Sequence, residues 1–205
     1  MVRPARTPDR SGVLRLRREL KLLRLGPVLV LVGLLVAAPA VSARGRGQCE
    51  HARTPIVAAT HGQLDRAVVC LVNRRRRGFG LPRLKPSPRL DRSAQGWTDF
   101  MVAHGDFSHG SNFGKRLTAV GFHWSRAGEN IATGFPTAAS VIRAWIASAG
   151  HCRNILAPTF GDLGVGVSAR GIGDAGSGTW TQDFGLRVGA RAPSGNWGPA
   201  DGCPY

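Results

Sequence analysis

The chain has 205 residues, of which 42% are hydrophobic and 20% charged, with 28 glycines and four cysteines. This mixture excludes a disordered chain, and neither a collagen repeat nor a heptad repeat is present. The formal charge is +16 at pH 7. Residues 1–43 hold eight basic and two acidic residues, so residues 44–205 keep twenty basic and ten acidic, a formal charge of +10. This second segment is long enough for one domain with a single core.

The amino-terminal segment has the pattern of a secretory signal peptide over residues 1–43. Eight basic residues precede an uncharged stretch, 25–43, that ends in the small-residue triplet Val41-Ser42-Ala43. The stretch is also close to the length that spans a bilayer, so an uncleaved membrane anchor is the alternative. Pro27, Gly33 and Pro39 interrupt the stretch, which favours cleavage. We therefore expect a secreted protein of the extracellular space or cell envelope, attached to a membrane only through an uncleaved leader.

All four cysteines follow the leader, and an even number in an exported chain predicts two disulfides. No C-x-x-C spacing indicates a cysteine zinc site. Cys49 and Cys203 flank the domain, so we pair them with each other and pair Cys70 with Cys152. The predicted organisation is then signal peptide 1–43, linker 44–55, domain 56–191 and a Gly/Pro-rich tail 192–205 tied by a disulfide.

Hydrophobic spacing predicts three helices in the first part of the domain. The first spans residues 60–77, where glycines and a proline end the apolar pattern. The pair Ser87-Pro88 is a good cap and first-turn combination for a second helix that ends near His104. Residues 105–124 are predicted to be rich in turns. A third helical run spans 136–150.

The hydrophobic period changes after the third helix. Residues 163–167 and 180–184 alternate between apolar and small or polar side chains, and the segment 171–178 between them is rich in glycine. This pattern predicts an antiparallel hairpin with a long loop. Helices followed by antiparallel strands predict an α+β fold with helices packed on a sheet.

The basic residues are mostly arginine, 25 of 28. Their one dense run, Arg74–Arg77, lies at the end of a predicted helix, where cations favour the carbonyl end of the helix dipole. No basic strip is interleaved with stacking aromatic side chains, so we predict no nucleic-acid partner. Anionic cell-wall polymer or lipid headgroups are better partners for this charge.

Three residues are the candidates for a functional site: His109, Glu129 and His151. Glu129 lies between apolar neighbours, and a partly buried carboxylate there would need a cationic or donor partner. Two imidazoles and a carboxylate at loops or element ends could bind zinc with one position open for water, or could act as an acid–base pair. They could equally form a hydrogen-bonded network that ties loops to the core.

Six ordered motifs resemble those of bacterial CAP-domain proteins, also called SCP-like extracellular proteins and related to pathogenesis-related protein 1. The resemblance covers Val68 to Gly185. The motifs are Leu71-Val72-Asn73-x-x-Arg76, Leu90-x-x-x-Ala94-Gln95, Phe107-Ser108-His109, Gly128-Glu129-Asn130-Ile131-Ala132, Trp145-x-x-Ser148-x-Gly150-His151-Cys152-x-Asn154-Ile155-Leu156 and Trp180-Thr181-Gln182-x-Phe184-Gly185.

The resemblance implies an α-β-α sandwich with a central cleft, in an exported protein stabilised by disulfides. Relatives are linked to sterol or lipid binding, wall or host interaction, defence and, in a few cases, proteolysis. Many eukaryotic members place two His and two Glu in the cleft, sometimes around a divalent metal. His109 matches the first of these histidines, and Glu129 matches one of the glutamates. Ser148 stands at the position of the other glutamate and Thr179 at that of the other histidine. The resemblance implies that His151 supplies an imidazole from a neighbouring position.

The resemblance also draws attention to Asn130 and Asn154, which are either donors that line the ligand cleft or groups that brace loops. We expect a non-catalytic, monomeric binding or interaction domain that requires no cofactor and binds an anionic wall polymer, a lipid or a sterol-like ligand. The alternative is a metal-assisted hydrolase of peptide or cell-wall amide bonds, with His109, His151 and Glu129 around zinc. A third hypothesis is a cationic envelope adhesin.

Overall fold

The computed structural model describes residues 48–192 and Cys203. The predicted signal peptide 1–43, the start of the predicted linker and nearly all of the predicted tail lie outside the described residues. Within the described part of the chain, no helix combines the length and the hydropathy needed to cross a membrane.

The first two predicted helices are present, and Ser87 caps the second, as the sequence indicated. Helix α1 spans His61–Gly78. The Thr60 hydroxyl caps this helix by accepting the main-chain N–H of Gln63 at 3.3 Å. The Thr60 N–H donates in return to Gln63 Oε1 at 2.8 Å, which completes a capping box. Helix α2 spans Pro88–His104 and ends at Gly105, whose φ of 65° is left-handed.

Four strands form one sheet in the order β1-β3-β4-β2. The predicted hairpin is confirmed as β3 (Asp162–Ser168) and β4 (Thr179–Arg187), paired antiparallel. Strand β2 (Trp124–Thr133) pairs antiparallel with β4 and is an edge strand. The two-residue strand β1 (Lys85–Pro86) pairs with β3 and is parallel to it.

Helices cover both faces of the sheet, which confirms the predicted α-β-α sandwich. Helix α2 packs directly on β3, because Gly164 and Gly166 lack side chains where the α2 backbone approaches. A Cβ at Gly164 would lie 2.2 Å from the carbonyl carbon of Leu90. The main core lies on the other face and joins α1, β3 and β4 to two later helices. Those helices are α4, Ala138–Ala147, and α5, Ala149–Leu156.

Two elements lie where the sequence predicted only turns or element ends. The turn-rich region contains helix α3, Phe113–Ala119, which is too short to show a helical period. Glu129 lies in the middle of the ten-residue strand β2, not at a loop or element end. The sequence of β2 does not alternate cleanly, because charged Arg126 and Glu129 are part of the strand.

The third predicted helix is in fact two helices. Ser148 has extended backbone angles, φ −106° and ψ 124°, and it separates α4 from α5. The Ser148 carbonyl then accepts the main-chain N–H of Cys152 at 2.9 Å, which begins the hydrogen bonding of α5. His151 and Cys152 therefore belong to the first turns of a helix.

All four cysteines form disulfides, but the predicted pairing of Cys49 with Cys203 and of Cys70 with Cys152 was wrong. Cys49 is bonded to Cys70 and Cys152 to Cys203, each with a Cα–Cα distance of 5.6 Å. The prediction assumed that the two ends of the domain meet each other. Instead each end is attached to a different helix, the first to α1 and the second to α5, and a disulfide cannot reach beyond about 7 Å between Cα atoms.

Arg76 is a fully buried arginine that joins α1 to the end of α5. Its guanidinium donates to the carbonyls of Ile155 at 2.9 Å, Ala157 at 2.8 Å and Pro82 at 2.8 Å. Burial lowers the pKa of Arg76 to about 10. The side chain remains charged at neutral pH, and it satisfies carbonyls that the helix end leaves without partners.

The close approach of α2 to the sheet can be tested by adding one methyl group. We expect Gly164→Ala to destabilise the domain by about 1–3 kcal/mol or more, since the new Cβ would overlap the α2 backbone. Gly96→Ala on the exposed side of α2 is the matched control, because no atom lies within 4 Å of its Cβ, and it should stabilise by about 0.5–1 kcal/mol. Urea unfolding of both variants measures the difference. Equal effects would contradict direct packing of backbone on backbone.

Candidate functional site

Glu129 is the centre of the candidate site. It lies on the edge strand β2, opposite Asp183 in the register with β4, and it is 8% exposed. Its neighbours in β2 alternate between the two sheet faces, so Glu129 and Asn130 point to opposite sides. The carboxylate lies on the face that α2 covers, where a buried charge needs strong partners.

Arg116 of α3 is the cationic partner of Glu129. Its Nη2 donates to Glu129 Oε2, and its Nη1 donates to the main-chain carbonyl of His109 at 3.0 Å and to Asn112 Oδ1 at 3.1 Å. The guanidinium lies over the ring of Trp97, 3.9 Å from its centroid. Stacking, the ion pair and the hydrogen bonds together hold this arginine in one orientation.

His109 is the second partner of Glu129. The ring nitrogen Nδ1 lies 2.8 Å from Glu129 Oε1, and because a carboxylate accepts, Nδ1 carries the proton and donates it. The neutral ring then keeps its lone pair on Nε2. The side chain is 53% exposed while Glu129 is nearly buried, so His109 is the part of this pair that solvent or a ligand can reach.

His151 lies near this pair without joining it. Burial lowers the pKa of His151, and a charge on nearby His109 lowers it further. Among the described residues, its ring forms no hydrogen bond to His109 or Glu129; only its main-chain carbonyl is used, accepting from Asn130 Nδ2 at 3.2 Å. The structure thus brings together two of the three candidate residues, with the third close by.

Asn130 and Asn154 form a brace between β2 and α5. Asn154 Nδ2 donates to the Glu129 carbonyl at 3.1 Å and to Asn130 Oδ1 at 2.8 Å. Asn130, which is fully buried, donates in turn to Gln182 Oε1 at 3.1 Å. The brace holds the main chain of Glu129 in place from the face opposite its carboxylate.

Asp183 is a second carboxyl group beside Glu129. It is fully buried, and within the described residues neither of its oxygens has a hydrogen-bond partner. Burial raises the pKa of Asp183 well above its usual range, and the charge of Glu129 raises it further, while Ser93 and Arg116 act in the opposite direction. Two adjacent buried carboxyl groups with one guanidinium favour one charge over two.

The residues at this site do not fit a divalent metal. Within the described ranges, no group of three or more His, Cys, Asp or Glu side chains could hold a metal ion. Both oxygens of Glu129 already accept from protein donors. The Arg116 guanidinium also places a positive charge where a cation would have to bind.

The sequence analysis did not identify Arg116 and Asp183 as site residues. Arg116 is one of 25 arginines and lies in a segment that was predicted to be turns. A signal for Asp183 was present: it is an acidic residue inside an alternating strand, on the face opposite Trp180 and Phe184. Because both strand faces are covered by helices, that side chain had to be buried.

A four-stranded sheet covered by helices on both faces is the architecture that the resemblance to CAP domains implied. The sequence model of the CAP family, the cysteine-rich secretory protein family, matches residues 69–184. The chain belongs to this family, and the resemblance described above is confirmed.

Three bacterial proteins resemble this chain in sequence or structure. The Bacillus subtilis protein YkwD is 36% identical over 125 residues, covering 58% of this chain and 46% of that protein. A crystal structure of an extracellular protein containing an SCP domain, from Bacillus anthracis, is 27% identical with a TM-score of 0.53, covering 63% of this chain and 44% of that one. This chain therefore spans less than half the length of either relative.

An outer surface protein of Borrelia burgdorferi has the same fold. It is 15% identical with a TM-score of 0.53, and the match covers 58% of this chain and 90% of that protein. The two solved structures are thus described as those of an extracellular protein and of an outer surface protein.

The protonation of Asp183 predicts how stability depends on pH. Folding raises the pKa of the Asp183 carboxyl group. The protonated group is therefore favoured in the native state, and the free energy of unfolding falls as the pH rises from about 4 toward the pKa of the folded protein. Asp183→Asn removes this loss, and we expect it to be about 1–3 kcal/mol more stable than the wild type at pH 8, with little difference at pH 4.

Thermal or urea unfolding at several pH values measures this difference. Asp174→Asn, at an exposed position in the glycine-rich loop, is the control and should leave the profile unchanged. If Asp183→Asn were equally destabilised at every pH, the carboxyl group would have to be charged in the native protein.

Proposed function

We propose that the chain is an exported binding domain of the cell envelope or extracellular space, and that its cleft holds a ligand through His109 without catalysing hydrolysis. The signal-peptide pattern of residues 1–43 supports export. The description of the Bacillus anthracis relative as extracellular supports the same placement.

The observation that carries this proposal is the engagement of both Glu129 oxygens. Arg116 donates to one and His109 to the other. A hydrolase that used Glu129 as a metal ligand or general base would need one of those oxygens free to take a cation or a proton. The guanidinium beside the carboxylate disfavours both, because it stabilises the charged, metal-free form.

His109 offers a fixed hydrogen-bonding group at the surface. Its Nδ1 is held by Glu129, and its main-chain carbonyl is held by Arg116 at 3.0 Å. Nε2 of the neutral ring can then accept one hydrogen bond from a ligand hydroxyl or amide. Phe107, two residues earlier, is 47% exposed and supplies apolar surface in the same loop. Peptidoglycan carries both hydroxyl and amide donors, so we choose it as the ligand class.

The test is co-sedimentation with peptidoglycan sacculi from which phosphodiester polymers have been removed. We expect His109→Ala to weaken binding about three- to tenfold, which is the loss of one hydrogen bond. His104→Ala is the matched control: His104 is exposed, bonds the Phe100 carbonyl at 2.9 Å and stacks on the Phe100 ring, but it has no contact with Glu129. It should bind as the wild type does.

The same samples test the alternative function. Release of amide-linked fragments from the sacculi, lost in Glu129→Gln and accompanied by stoichiometric zinc in protein purified without added metal, would contradict the proposal and support a metal-assisted hydrolase. Equal binding by the wild type and His109→Ala would also contradict it.

A further inference from the structure

A groove rich in arginine lies between three segments of the chain: the turn 48–55, the second half of α1 and α4. We call it the arginine groove and define it by Arg53, Arg74 and Arg143, one residue from each segment. All three side chains are exposed. Among the described residues, none of the three has an ion-pair or hydrogen-bond partner.

The charge of the groove is strongly one-sided. Glu50 is the only acid among the described residues that line it, and Arg75 adds a fourth guanidinium. The excess of positive charge from three separate segments attracts anions along the length of the groove, not at one point.

The groove has apolar as well as polar lining, but two of its large aliphatic side chains are buried. Leu71 and Ile142 line it but are only 7% and 8% exposed. Phe79 is 43% exposed, and the Arg75 guanidinium lies 4.8 Å from the centroid of its ring. Phe79 is the one Phe, Tyr or Trp side chain among the described residues of the lining, so nucleic-acid bases would find no row of stacking rings. Guanidinium groups, which bind phosphate oxygens in pairs, are the available chemistry.

The three segments are fixed relative to one another. The disulfide between Cys49 and Cys70 attaches the turn to α1, and the main-chain N–H of Ala139 donates to the Ala52 carbonyl at 2.7 Å, which attaches the turn to α4. The arginine backbones are therefore positioned before any ligand binds, which lowers the entropy cost of association.

We propose that the arginine groove binds a linear phosphodiester polymer of the cell envelope. Repeating phosphates match three cations distributed over three segments, whereas a single small anion would meet only part of them. This inference rests on the export stated in the proposed function but not on the His109 cleft, whose carboxylate faces the α2 side of the sheet. The groove belongs to the layer of α1 and α4 on the other side.

The experiment measures binding of the whole exported domain to soluble poly(glycerol phosphate) by titration at several salt concentrations. We expect the triple variant Arg53→Gln, Arg74→Gln, Arg143→Gln to bind about 100-fold more weakly than the wild type. The slope of log affinity against log salt should fall by about 2 to 3, one for each lost phosphate contact. Unchanged thermal unfolding verifies that the variant is folded.

The matched control is Arg83→Gln, Arg126→Gln, Arg170→Gln, which removes the same charge from exposed positions outside the groove. It should keep most of the affinity. An equal loss in both triple variants would overturn the proposal in favour of diffuse charge. Absence of binding, or stronger binding to single-stranded DNA or to phosphatidylglycerol vesicles than to the polymer, would overturn it as well. His109→Ala should bind the polymer normally, so the two proposals can fail separately.

Discussion

The ion pair between Glu129 and Arg116 determines what this site can do. A carboxylate that is 8% exposed and lies beside a second, fully buried carboxyl group is stable only with a cation against it. Here α3 supplies that cation as the Arg116 guanidinium, which is stacked on Trp97 and bonded to the His109 loop. The same contact that stabilises the charge therefore also positions His109.

Much of the fold was predictable because its signals are local. The cap at Ser87 and the alternation of the 163–184 hairpin depend on neighbouring residues, and both are present. Strand β2 has a weaker local signal, since its polar residues are explained only by what packs on them: Arg116 on one face and the Asn154 brace on the other. The disulfide pairing failed for a related reason, because it depends on which helix each end of the domain reaches.

The candidate site shows the same limit. His109 and Glu129 were recognisable by residue type and motif, and they are in contact. Arg116 and Asp183 were not recognisable in this way. Arg116 is one of many arginines, and its role depends on where α3 places it. The role of Asp183 depends on the sheet register. Asp183 of β4 in particular matters only because Glu129 of β2 lies directly opposite it.

One motif shared with the family, the run from Trp145 to Leu156, braces the edge strand. Trp145 Nε1 donates to the Ile131 carbonyl at 3.2 Å, as Asn154 does to the carbonyl of Glu129, so two outward carbonyls of β2 are satisfied by side chains from α4 and α5. This protects a sheet edge that would otherwise pair with other chains. Asp183 and Arg74 occupy unspecified positions within the motifs shared with the family, and Arg116 lies outside them. The shared motifs thus supply scaffold groups together with the His109–Glu129 pair, whereas the cation and the second carboxyl group beside that pair come from positions that the family pattern leaves open.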